Sequence, residues 1–119
     1  MSGKILVNAT YGTDDVERAT VPFVVASASA ASDNETVIFL TAQSVKLAAK
    51  GGADGIQSEG YPAIADLISA TVENGGKIWV CPACASANGI TEDDLIEGAS
   101  LVGAAGTIGF LADGARTIM

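Results

Sequence analysis

Three short runs, "KILVN" (4–8), "ETVIFL" (35–40) and "KIWV" (77–80), constrain the fold more than anything else in this chain. They are β-branched and almost continuously apolar, without the polar-apolar alternation of a strand that faces water on one side. Such runs belong to strands buried on both faces, the mark of a parallel sheet. Between them lie longer segments suited to helices, and alternation of this kind predicts a three-layer α/β/α sandwich. Two weaker runs, "ASLVG" (99–103) and "RTIM" (116–119), complete a mainly parallel sheet of about five strands.

The first helix is expected to reach about Ala31, with Val21, Val24, Val25 and Ala28 at helical spacing. Thr13 is its expected N-cap, and Pro22 should kink it or delay its start. "AQSVKLAAK" (42–50) reads as a short helix stopped by Gly51 and Gly52, and "ADGIQSEGY" as a loop. "PAIADLISATVEN" (62–74) reads as a helix with Pro62 in its first turn. Asn88-Gly89 is a turn, Thr91 and Asp94 form a weak capping box, and "AAGTIGFLADGA" (104–115) is a glycine-weakened helix. No linker or repeat interrupts the 119 residues, which read as a single domain.

Composition narrows function by exclusion. Fourteen acids against six bases give a net charge of −8, with no basic cluster to meet nucleic acid or an anionic membrane. The longest apolar stretch, Val21 to Ala31, contains Ser27 and Ser29 and is too short to span a bilayer. Ser, Gly and Lys follow Met1 without a signal-peptide pattern, so the cytoplasm is the expected location. There is no histidine, which removes Ser-His-Asp and Cys-His catalysis and His-ligated zinc. Only 17% of residues are charged, against about 25% in an ordinary soluble domain. Burial between subunits accounts for that economy, so a homo-oligomer is expected.

Chemistry therefore gathers on "WVCPACASANGI" (79–90), which holds both cysteines. In a parallel sheet, ligands collect outside the carboxyl ends of the strands. Cys81 follows the third strand directly and falls on that edge. The loops 9–15 and 41–44 should open onto the same edge, offering Tyr11, Gly12, Thr41 and Ser44, with Pro82 beside the thiol. Backbone N–H groups at a strand-to-helix junction favour a thiolate. The spacing alone leaves several readings open: a thioredoxin-like dithiol, half a zinc site, a sulfur carrier, or two small core residues. Zinc would need two further ligands from carboxylates, and no metal or other cofactor is expected. Cys84, among alanines, suits the core reading better than Cys81 does. Trp79 is expected in packing, and "EDD" (92–94) as a solvated helix start.

Read at greater length, "VCPACASANGITEDDLIEGASLVGAA" (80–105) resembles the DsrE/DsrF-like family of small sulfur-relay proteins. The resemblance rests on a cysteine after the third strand, a glycine eight residues later (Gly89), an acidic helix and an apolar "LVGAA". "ERA" (17–19) and "TVIFLTAQSVKLAAKGG" (36–52) extend it over nearly the whole chain, as one DsrE/DsrF-like domain over residues 1–119. It implies a sulfur carrier of the sulfurtransferase or persulfide-carrier kind that holds sulfane sulfur as a persulfide on Cys81. Cys84 then matches a second cysteine found in some members. It further implies a homotrimer or homohexamer working with sulfur donor and acceptor proteins. This chain has Asn88 where relatives often carry a basic residue before the glycine. The alternatives are a dithiol-disulfide oxidoreductase using Cys81 and Cys84, or a non-catalytic oligomeric binding protein with structural cysteines.

Overall fold

The computed structural model describes residues 3–119. Five strands, β1 (Lys4–Ala9), β2 (Glu35–Leu40), β3 (Lys77–Val80), β4 (Ala99–Leu101) and β5 (Arg116–Ile118), form one sheet in the order β4-β3-β2-β1-β5. Every pairing is parallel, with Val7 opposite Ile38 and Ile38 opposite Ile78 at its centre. The sheet is thus wholly parallel, and helices flank it on both sides.

Strand order decides which helix lies where. From β1 to β4 the chain moves steadily one way, and right-handed crossovers put those connections on one face. That face holds α1 (Val16–Ala31), a 3₁₀ segment (Ala42–Ala48), α2 (Ile64–Glu73) and α3 (Pro82–Ala87). Val7, Ile38, Leu40, Ile78 and Val80 point into it and meet Phe23, Val45, Leu47 and Ile64, all fully buried. The last connection runs back across the sheet to β5, so α4 (Ala104–Ala112) covers the other face alone. There Leu6 and Val37 meet Phe110, whose ring stands edge-on to Trp79 at 5.6 Å between centroids. An ion pair from Lys4 to Asp113 fastens the end of α4 to the start of β1.

Local expectations fail where tertiary packing or backbone chemistry outweighs pattern. Asp15, not Thr13, caps α1, its carboxylate accepting from the Arg18 amide at 3.1 Å. The helix runs unbroken through Pro22. One hydrogen bond is lost there, but Ala19, Phe23, Ala26 and Ala30 seat the helix on the sheet. Residues 42–48 wind as a 3₁₀ helix instead of an α-helix, because Ala42 enters with a positive φ of 52° and the Ser44 hydroxyl is drawn to the Ala9 carbonyl. Pro62 precedes α2, whose N-cap is Ala63. The acidic helix shrinks to one 3₁₀ turn, Glu92–Asp94, although its Thr91–Asp94 capping box is complete. The last helix stops at Ala112, three residues short of its expected end, where Gly114 takes a positive φ of 102°.

The two faces are unequal. Phe23 is wholly enclosed, whereas Phe110 keeps 9% of its surface and has only one helix around it. Phe23→Ala should cost about 4–5 kcal/mol and Phe110→Ala nearer 3 kcal/mol. Urea unfolding should give midpoints in that order.

Candidate functional site

Parallel pairing brings the ends of β1, β2, β3 and β4 to one edge of the sheet. At that edge the chain leaves β3 into α3 on one face, and leaves β4 into α4 on the other. Neighbouring strands whose connections part to opposite faces open a crevice between them, the topological switch point of a doubly wound sheet. Cys81 sits there. Its amide donates to the Leu40 carbonyl at 3.0 Å, and the Val102 amide donates to the Val80 carbonyl at 3.1 Å, so backbone from both neighbouring strands fixes its position.

Cys81 is also the N-cap of α3, in extended conformation with φ −60° and ψ 120°. Pro82 occupies the first helical position, where its missing N–H leaves no bond unmade. Cys84 lies three residues on, which puts it on the same helix face. Both thiols are free and half-buried. The sulfur of Cys81 closes no cap bond of ordinary geometry. The neighbouring Cys84 amide is the largest influence lowering its pKa, with the Cys84 side chain and the Ala83 amide beside it. These donors outweigh desolvation and hold the Cys81 pKa below the ordinary thiol value. No basic side chain takes part. Asn88 turns away to donate from Nδ2 to the Cys84 carbonyl at 2.8 Å, closing the C-terminal end of α3.

The other candidate residues separate into distinct roles. Ser44 is buried and donates to the carbonyls of Ala9 (2.9 Å) and Thr41 (2.7 Å), clasping the ends of β1 and β2. Thr41, half-buried, accepts that bond and donates its amide to Ala9 at 3.0 Å. Gly12 packs so close to Gln43 that a Cβ there would overlap the Gln43 carbonyl. These residues brace the edge from beneath. Tyr11 stands apart, 37% exposed, with the Arg18 guanidinium 5.5 Å from its ring centroid. It lines a cleft of about 340 Å³ with Asn8 and Pro22, a cleft that does not include Cys81. Pro82 is exposed at the rim.

Two participants escaped the sequence reading. Gly103, the N-cap of α4, faces Pro82, and a Cβ there would rest in ordinary contact with its Cδ at 3.5 Å. Ala42, with its left-handed backbone, steers the chain away from the edge just after β2. Position after a strand end was the available signal for Gly103, and none existed for Ala42. Among the described residues no three Cys, Asp or Glu side chains converge into a group that could hold a metal ion.

The depressed thiol has a consequence in pH. A thiol with a folded pKa below its unfolded value of about 8.5 adds stability above that value and loses it as pH falls through the folded pKa. The same shift predicts reactivity at Cys81 at neutral pH. Iodoacetamide labelling followed by peptide mapping should find Cys81 modified ahead of Cys84. Its rate should rise through an inflection below about 8.5, and a rate still climbing as for a free thiol removes the thiolate assignment.

The architecture and the sequence agree in their relatives. Uncharacterized protein MJ0760 of Methanocaldococcus jannaschii is 32% identical over 109 residues, covering 92% of this chain and 40% of that protein. The chain therefore spans less than half the length of that relative. Uncharacterized protein MK0008 of Methanopyrus kandleri is 30% identical over 97 residues, 82% of this chain and 74% of the other. Among solved structures, the protein of unknown function MTH1491 from Methanobacterium thermoautotrophicum superposes with a TM-score of 0.70 at 18% identity, covering 98% of this chain and 96% of that one. The ychN protein of E. coli gives 0.65 at 16% identity, over 99% of this chain and 100% of that one. At those identities the two structures share the fold alone. The model of the DsrE/DsrF-like family matches residues 3–119, and on that match the chain belongs to the DsrE/DsrF-like family.

Proposed function

We propose that the protein is a cytoplasmic sulfur-relay component that carries sulfane sulfur as a persulfide on Cys81. The observation that carries this reading is the place of Cys81 at the switch point of the sheet, where neighbouring amides favour its thiolate. Membership of the family supports it. In the loading step the Cys81 thiolate attacks the sulfane sulfur of a donor persulfide. A new S–S bond forms on Cys81, the donor's S–S bond breaks, and the donor leaves as a thiolate. In unloading, an acceptor thiolate attacks the outer sulfur and Cys81 departs as the thiolate. Neither step needs histidine, metal or external oxidant, in keeping with the composition.

Cys84 gives a second reading its footing. Its i+3 spacing from Cys81 supports a step in which the Cys84 thiolate attacks the inner sulfur of a Cys81 persulfide, forming a Cys81–Cys84 disulfide and releasing sulfide. A dithiol-disulfide oxidoreductase would use the same pair. Intact mass after polysulfide treatment separates the readings. Wild type and Cys84→Ser should each gain about 32 Da per sulfur, and Cys81→Ser should not. A Cys81→Ser protein that gains sulfur as wild type does ends the carrier assignment. A loss of about 2 Da in wild type, absent from both variants, signals the disulfide.

The homo-oligomer belongs to the same reading. Ile108 and Ile118 expose 62% and 45% of their surfaces, and β5 is an open sheet edge. A trimer or hexamer would cover apolar surface of this kind. Light scattering over a dilution series should give a mass several times that of the chain, and a monomer at all concentrations defeats it.

A further inference from the structure

On the same face of the sheet as α3, a cleft of about 350 Å³ lies between α2, the turn after the 3₁₀ segment and the segment leading into β4. Its apolar lining comes from Ile68, Val72 and Ile96, and its rim carries Asp54, Glu73 and Glu97. All three acids are exposed. No Lys or Arg lines the cleft, and among the described residues the recorded ion pairs, Lys4–Asp113 and Arg18–Asp15, involve none of the three. Lys50, the base nearest in sequence to Asp54, is spent elsewhere, its ammonium donating to the Asp93 carbonyl at 3.0 Å. The result is an apolar trough edged by negative charge alone, on a chain of net charge −8.

We propose that this cleft docks a segment of a partner protein that alternates aliphatic and Lys or Arg side chains. Long cationic side chains lay their methylene stems on apolar surface while the charged heads reach carboxylates, which is the chemistry this trough offers. The surplus of acid steers such a partner at long range. A second copy in a two-fold contact is a poorer occupant, because it would set each acidic rim against its own counterpart. Glu73 ends α2 and Glu97 precedes β4, so the cleft opens toward the amino edge of the sheet. Cys81 does not line the cleft. The inference stands independently of the chemistry at that thiol.

The test is a heteronuclear NMR titration of the full chain with a short peptide of alternating Leu and Lys. Shifts should gather on Ile68, Val72 and Ile96. Peptides with Ser for Leu, or Glu for Lys, should bind far more weakly. The variant Asp54→Asn/Glu73→Gln/Glu97→Gln should bind the Leu–Lys peptide about tenfold more weakly, since exposed ion pairs are individually modest and three are removed. A control variant of equal charge, Asp33→Asn/Glu59→Gln/Glu92→Gln, should bind as wild type does. Equal weakening in both variants would mean general charge attraction and overturn the proposal, as would shifts centred outside the cleft. Rim-dependent self-association, lost in the first variant by light scattering, would assign the cleft to a second copy and overturn it too.

Discussion

The parallel pairing of β3 between β2 and β4 is the interaction on which the rest of the molecule depends. It sends all strand ends to one edge and leaves Cys81 anchored through backbone bonds at the end of the buried run "KIWV". A thiol on a free loop would sample many positions. This one is held by a strand behind it and a helix in front, so the amides that favour its thiolate remain in place.

Those amides matter because the chain has little else with which to activate sulfur. It lacks histidine, and no basic side chain contributes to the shift at Cys81. Placing Cys81 as the cap of a short helix sets backbone amides near its sulfur, and these hold its pKa down. Proline at the following position fixes the turn and withholds no needed donor. Beneath the thiol, Ser44 and Gly12 hold the loops after β1 and β2 together by a buried hydroxyl and a close backbone approach. Their contribution to the site is mechanical.

The two faces of the sheet follow from one reversal in strand order. Three consecutive crossovers in one direction give a thick layer with a fully enclosed core. The single return crossover gives a thin layer, one helix resting on Phe110 and Trp79 and secured by Lys4 and Asp113. The low charge of the sequence has its counterpart in apolar side chains left at the surface on and near this thinner side, among them Ile108 and Ile118. The cleft beside α2 differs in kind, since acid alone guards its rim.

Sequence by itself determined the five strands, the parallel sheet and the position of Cys81 at a strand end. Each rests on local pattern: continuous β-branched runs, helical spacing, and a cysteine directly after a strand. Pattern also sufficed for the Thr91–Asp94 capping box, where both partners lie within one turn. It misplaced the cap of α1 and the course of the chain through Pro22 and Ala42, where long-range packing outweighs propensity. It separated Tyr11 from Cys81 no better, because a loop's edge is local information while the direction of a side chain is not. Only the tertiary structure decided the strand order, and with it the switch point that sets Gly103 against Pro82 beside the thiol. The reason is physical: crossover direction is chosen by which faces can be buried together, a property of the assembled sheet that no single segment contains.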